Sequence, residues 1–209
     1  MIRILIADDH SIVRRGLKEI LTEEFPKAHI SAVNDGAALM RKARKEKWDI
    51  IISDLTMPGK NGLETLKELK EEYPKTPVLI LSMHPEYLYA IRVLRAGAAG
   101  YLSKESASEE LVNAVRMILN GRKFITPSVA EKLAENLEQD STKELHETLS
   151  DREFDILKLI ASGKNLTEIC KLLSISKSTV STHRSRILVK MKMRTNSELT
   201  HYAIKNSLL

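Results

Sequence analysis

Ile50-Ile51-Ile52-Ser53-Asp54 sets three apolar side chains in succession. In an extended chain, successive side chains point to opposite faces. A run that is apolar on both faces needs a covering layer on each side, as a buried parallel strand has. The run ends in an acid, and Pro58-Gly59 and Asn61-Gly62 turn the chain back. Open α/β sheets do their chemistry beyond the carboxyl ends of their strands. Asp54 is therefore the residue around which the others are to be arranged.

Four more apolar stretches repeat the pattern: residues 2–7, 28–33, 78–82 and the short 100–102. Between them lie helical periodicities at about 12–24, 36–47, 63–72 and 87–96, with a fifth at 111–119 ended by Asn120-Gly121. In the first helix, Ile12, Leu17, Ile20 and Leu21 are expected to face the core. Strand and helix alternating five times predicts right-handed crossovers and a doubly wound five-stranded parallel sheet, flavodoxin-like, in the order 2-1-3-4-5. From about Pro127 the chain turns polar and charged, so a linker is expected over 123–147, between a first domain at 1–122 and a second at 148–209. The second domain reads as all helical, with Ser150 and Glu153 spaced as a capping box.

Strand order 2-1-3-4-5 makes the first, third and fourth strands neighbours. Asp8-Asp9, Asp54 and Ser82 follow those strands, and Lys104 follows the fifth. Three carboxylates brought together hold protons unless a cation neutralises them. Oxygen ligands suit a hard ion that keeps waters, hence Mg²⁺ rather than zinc. A nucleophilic aspartate beside Mg²⁺, a hydroxyl and a lysine is equipped to accept a phosphoryl group. Singly, each residue has a plainer explanation: Asp9 as a helix cap, Ser82 as an ordinary serine, Lys104 as a solvated charge.

Residues 1–121 resemble the receiver domain of a two-component response regulator. The resemblance rests on Asp8-Asp9, Asp54 with Met57-Pro58-Gly59, Ser82, Ala96-Gly97-Ala98-Ala99-Gly100-Tyr101, and Lys104 three residues after Tyr101. It implies phosphorylation of Asp54 by a sensor histidine kinase. It also implies Mg²⁺ ligation by Asp9, Asp54 and the Thr56 carbonyl, with Asp8 helping directly or through water. Ser82 and Tyr101 are implied as a switch pair beside Lys104: the phosphoryl draws in the Ser82 hydroxyl and Tyr101 repacks into the space vacated. Tyr101 also fits as a plain core aromatic. Many receivers carry proline after the lysine; here Glu105 stands there, so no cis peptide is expected.

The net charge of +5 is unevenly spread: residues 148–209 hold eleven Lys/Arg against five Asp/Glu. Between Glu168 and Glu198 there is no acid at all. That asymmetry points to a polyanion partner for this part alone. On a helix from about Lys177 to Lys192, Val180, Ile187 and Met191 fall on one side to be buried. Ser181, Thr182 and Ser185 fall on another and stay free. A helix showing short polar groups flanked by cations can enter a major groove. The cations then hold phosphates and the short groups reach base edges. The candidate DNA contacts are Lys177, Ser178, Thr179, Ser181, Thr182, Arg184, Ser185, Lys190 and Lys192.

Leu149-Ser150-Asp151-Arg152-Glu153, Ala161-Ser162-Gly163, Glu168-Ile169, Leu173, Ile175-Ser176, Thr179-Val180 and His183 resemble the LuxR-type helix-turn-helix of the NarL/FixJ class. Leu166-Thr167 and Ser181 depart from that family's usual residues at positions that touch DNA in relatives, so no target sequence follows. The last helix (Leu199, Ala203, Ile204, with Leu208-Leu209) carries an apolar stripe, expected to be mostly core and, by resemblance, partly a pairing surface.

Together these imply a phosphorylation-controlled DNA-binding transcriptional regulator, homodimeric when phosphorylated, and not an enzyme. A Mg²⁺-dependent phosphohydrolase is the enzyme alternative; such sites usually carry a second Asp two residues after the nucleophile, where this chain has Thr56. A receiver with a protein-binding output domain is the other alternative. Cys170, the only cysteine, excludes an internal disulfide and reads as a small buried hydrophobe. With no signal peptide and no membrane span expected, a cytoplasmic location follows as an expectation.

Overall fold

A computed structural model describes residues 1–57, 62–84, 86–138 and 144–209, with backbone alone at 87, 132 and 135–138. The turn expected at Pro58-Gly59 and Asn61 lies outside the described residues. The chain divides into two compact units, Met1–Glu135 and Asn136–Leu209.

The first unit is a parallel sheet of β1 (Arg3–Ala7), β2 (His29–Val33), β3 (Ile50–Asp54), β4 (Val78–Ser82) and β5 (Gly100–Ser103), in the order β2-β1-β3-β4-β5. β3 and β4 are buried at every residue, as their unbroken apolar runs require. On one face, Ile4, Ile6, Ile50, Ile52, Leu79, Leu81 and Leu102 pack with Leu17 and Leu21 of α1 (Ser11–Glu24) and Leu111, Val115 and Ile118 of α5 (Ala107–Leu119). The intervening Leu5, Ile51 and Ile80 are equally buried and point to the other face by the period of two. α2 (Gly36–Lys45), α3 (Gly62–Glu72) and α4 (Glu86–Arg95) complete the alternation.

One expected core residue is not in the core. Ile12 is 86% exposed, because the buried stripe of α1 runs through Val13, Leu17, Ile20 and Leu21, one position off its register. Among the described residues the linker region is helical at both ends, with α6 (Pro127–Glu138) and a 3-10 turn at Leu145–Thr148. Phe124, assigned to the linker from sequence, is part of the sheet unit's core.

The second unit holds α7 (Asp151–Ala161), α8 (Leu166–Leu173), α9 (Lys177–Lys190) and α10 (Asn196–Lys205). Ser150 and Glu153 form the expected capping box, and Asn165 with Glu168 forms another. Ser174, at φ +53°, makes the sharp turn from α8 into α9. Ser176 caps α9 by accepting from the Thr179 N–H. Phe154, Leu157, Ile169, Val180, Ile187, Leu199 and Ala203 make the core. Ile204 and Leu209 of the last apolar stripe remain exposed, whereas Leu208 is buried. Cys170 is half-buried.

Candidate functional site

Parallel strands that stop together deliver their next residues to one edge. β1 stops at Ala7, paired with Ser53, and β4 stops at Ser82, paired with Ser103. Asp8, Asp54 and Ser82 are thereby buried at that edge. The Lys104 side chain is only 5% exposed, and its Nζ lies 2.7 Å from both Asp8 Oδ2 and Asp54 Oδ2. It is not a solvated charge. Asp54 Oδ1 accepts the Thr56 N–H at 3.1 Å. Asp8 Oδ1 accepts the His10 N–H at 2.8 Å, and Arg14 Nη1 donates to the Asp8 carbonyl at 2.6 Å. Asp9 does not cap α1; its Oδ1 faces His10 Nδ1 at 2.7 Å.

Asp8, Asp9, His10 and Asp54 each offer a ligand atom within 4.8 Å of the others. Among the described residues, three carboxylates meet a single ammonium: Asp8 and Asp54 share Lys104, Asp9 faces His10, and Arg14 donates to the Asp8 carbonyl. Burial pushes the Asp54 carboxyl above its ordinary value, partly opposed by the Lys104 and Thr56 hydrogen bonds. For Lys104, burial works downward, but hydrogen bonds to Asp54 and Asp8 outweigh it and its pKa rises. Asp8 Oδ2 and Asp9 Oδ1 are buried without a well-directed hydrogen bond, close as Lys104 Nζ and His10 Nδ1 stand to them. This excess of carboxylates and two such oxygens fit a divalent cation.

Ser82 Oγ accepts the His84 N–H at 3.0 Å, and the Tyr101 hydroxyl donates to the His84 carbonyl at 2.6 Å. The His84 ring stacks on Tyr89 at 4.8 Å, with Nε2 3.3 Å from Thr56 Oγ1. Burial first, then the negative charges of Glu86 and Asp54, push the Tyr101 phenol up to about 12.

In the second unit, α9 buries Val180 and Ile187, with Met191 buried just after it, and exposes Ser178, Ser181, Thr182 and Ser185. The hydroxyls are not free: Thr182 donates to Ser178 O at 2.9 Å and Ser185 to Ser181 O at 3.1 Å, leaving their lone pairs outward. Ser178 and Thr179 are drawn into the cap, their hydroxyls 2.7 and 2.8 Å from Ser176 Oγ. The candidate cations divide. Lys177 and Lys192 are exposed, and Lys192 stands past the helix at φ +55°. Arg184 Nε is tied to Asn196 Oδ1 at 2.7 Å and Lys190 Nζ to buried Glu153 Oε2 at 2.6 Å, since both lie on flanks turned toward neighbouring helices.

The sequence matches the response regulator receiver domain over residues 4–116 and the luxR family of bacterial regulatory proteins over residues 147–203. The chain is a response regulator. It is 37% identical to the oxygen regulatory protein NreC of Staphylococcus carnosus, across 99% of both chains. It is 32% identical to the response regulator UvrY of Escherichia coli K12, across 100% of this chain and 96% of that one. A solved structure of RcsB from Salmonella enterica serovar Typhimurium, bound to a promoter in the presence of phosphomimetic BeF3-, overlays with a TM-score of 0.61 at 28% identity. It covers 96% of this chain and 97% of that one.

Such membership makes the response regulator a transcription factor of the NarL/FixJ class rather than a phosphohydrolase. Among its described residues no helix is long and apolar enough to cross a membrane. Some site neighbours escaped sequence reasoning. His10 follows the acid pair directly and was signalled by that adjacency. His84 and the pairing of Glu153 with Lys190 had no local signal. On the outer face of α9, Val189 (78% exposed) and Arg186 continue the Ser178, Thr182, Ser185 stripe at helical spacing.

Proposed function

We propose that Asp54 accepts a phosphoryl group from a sensor histidine kinase, and that the acquired charge raises the affinity of the α9 domain for duplex DNA. The observation that carries this is the burial of Asp54 beside a lysine, a hydroxyl-bearing strand end and an acid pair whose oxygens lie within reach of one ion. An Asp54 carboxylate oxygen attacks phosphorus, the phosphorus–nitrogen bond to the kinase imidazole breaks, and the imidazole leaves with the electron pair. Lys104 balances charge on the transferred oxygens, and the Ser82 hydroxyl donates to one of them. Asp8, Asp9, Asp54 and the Thr56 carbonyl would hold Mg²⁺, which when bound neutralises phosphoryl charge. Ser82 and Tyr101 act as the switch, communicating through the His84 backbone.

DNA binding is assigned to α9. Ser178, Ser181, Thr182 and Ser185 face base edges, and Lys177, Arg186 and Lys192 face phosphates. Thr179 acts through the cap, and Arg184 and Lys190 act by fixing the helix. The promoter-bound RcsB relative supports this use of the fold, as does a further RcsB structure of two dimers bound to two parallel DNAs. A phosphorylated homodimer would read an inverted repeat with half-sites roughly one helical turn apart. The protein works in the cytoplasm, where kinase domain, Mg²⁺ and DNA meet. The test is Asp54→Asn with acetyl phosphate and Mg²⁺: no mass gain, no dimerisation and no rise in operator affinity are expected. A variant that still responds places the switch elsewhere.

A further inference from the structure

The first residues after α5 are pinned to the sheet unit. Gly121, at φ +78°, turns the chain, and the Phe124 N–H donates to the Ala99 carbonyl at 2.9 Å. Gly100 makes that approach possible, since a Cβ there would stand 2.9 Å from the Phe124 carbonyl oxygen. Two residues on, Thr126 opens α6: its carbonyl accepts from Ala130 at 3.0 Å and its hydroxyl faces the Val129 N–H at 3.4 Å. The Thr126 hydroxyl also donates to Glu86 Oε2 at 2.7 Å, and Ser128 Oγ reaches the same oxygen at 3.2 Å. One carboxylate oxygen on the first residue of α4 thus gathers both hydroxyls from the start of α6.

Glu86 is two residues beyond His84, whose N–H rests on Ser82 and whose carbonyl receives Tyr101. Its charge reaches the Tyr101 phenol as well. The Ser82 hydroxyl and the Tyr101 hydroxyl thus both hold the His84 backbone, two residues before the Glu86 carboxylate. The Phe124 contacts lie on β5 and the core and involve neither switch residue. Of the ties that hold the start of the linker helix, the Glu86 tie is the one made two residues from His84.

We infer that Glu86 is a latch that clasps the first turn of α6 and is released when Asp54 is phosphorylated. The inference rests on Asp54 being the phosphoacceptor, and goes beyond it by naming the route from the pocket to the linker. Release frees the hydroxyls of Thr126 and Ser128 while Phe124 stays docked, so only the helix beyond Thr126 changes its tie to the sheet unit.

The test is hydrogen exchange in the full-length chain over residues 124–134, with and without acetyl phosphate and Mg²⁺, with intact mass reporting the phosphoryl group. In the unsubstituted protein, exchange in the first turns of α6 rises several-fold with the phosphoryl mass gain. Glu86→Ala and Thr126→Val exchange at the faster rate from the start and show no further rise, yet still gain the phosphoryl mass. Thr126→Ser keeps the hydroxyl and restores the response. A purely structural Glu86 would loosen α6 in both states and leave the phosphorylation-dependent rise intact, which overturns the latch. An unchanged α6 despite mass gain in the unsubstituted protein overturns it too. Absence of mass gain removes the phosphoacceptor reading, and the latch falls with it.

Discussion

Tyr101 donates its buried hydroxyl to the backbone carbonyl of His84 at 2.6 Å. Because the His84 N–H sits on Ser82 Oγ, one residue's backbone carries both ends of the proposed switch. The strand that carries Tyr101, β5, is at the sheet edge, where a tyrosine can be core filler or signal carrier; a hydrogen bond to the His84 backbone is what a carrier requires.

Tyr101→Phe removes that bond and leaves the ring volume unchanged. A single hydrogen bond of this kind contributes about 1 kcal/mol. Phosphoryl uptake by Asp54 should be unchanged, while the phosphorylation-induced gain in operator affinity falls roughly fivefold, a coupling loss of about 1 kcal/mol. Fluorescence anisotropy on an operator duplex, with and without acetyl phosphate, measures it. A full gain in the variant assigns Tyr101 to packing alone.

Among the described residues Lys104 is the one lysine on the Asp8 and Asp54 carboxylates, so its removal makes the pocket more attractive to a metal and less suited to phosphate. Lys104→Gln should bind Mg²⁺ roughly tenfold more tightly, about 1.4 kcal/mol, the scale of one unit charge a few ångströms away in a partly wet site. Phosphoryl uptake should fall in the same variant. Thermal melts across a Mg²⁺ titration read the first effect and intact mass the second. Equal Mg²⁺ affinity in both proteins would mean that the cation is held elsewhere.

Glu153 is buried, and burial works to raise its pKa. The hydrogen bonds from Lys190 and from the Ser150 backbone and side chain outweigh that, so the net shift is downward. An acid depressed in the folded state contributes stability that is complete above its ordinary value and is lost as pH falls through the depressed one. Glu153→Gln should therefore cost the second unit about 1–2 kcal/mol at pH 7, since Lys190 keeps access to water. The difference from the unsubstituted protein should close as pH falls below the ordinary carboxylate range. Denaturant melts followed between neutral pH and about pH 3 check this, and a constant difference across that range would show that shape rather than charge is at stake.

Continuous apolar runs made the sheet legible: Ile50-Ile51-Ile52 and Val78-Leu79-Ile80-Leu81 are buried on both faces because nothing in them tolerates water. The acid pocket was legible for the same reason, since strand ends fix where Asp8, Asp54 and Ser82 fall. What stayed hidden depends on tertiary partners. Ile12 has an apolar side chain one step off the stripe, and only the packed helix reveals the register. Thr126 and Ser128 look like polar linker residues until Glu86, some forty residues earlier, is beside them. Nothing near Lys190 in the sequence signals its hydrogen bond to Glu153, 37 residues away.

That hydrogen bond divides the cations of α9 experimentally. A side chain on a phosphate displaces counterions, and each such contact steepens the fall of log affinity with log salt by about 0.9. Arg186 is exposed on the outer face, so Arg186→Ala should flatten that slope by about one while leaving the fold within about 0.5 kcal/mol of its original stability. Lys190 is committed to Glu153 at 2.6 Å. Lys190→Met should lower the stability of the second unit and weaken binding by a factor that does not change with salt. Titrations of an operator duplex at several salt concentrations, paired with melts, separate the two. If Lys190→Met instead flattens the slope with stability intact, the ammonium leaves Glu153 for a phosphate on binding, and its contact with Glu153 is a resting position of a DNA-contacting residue.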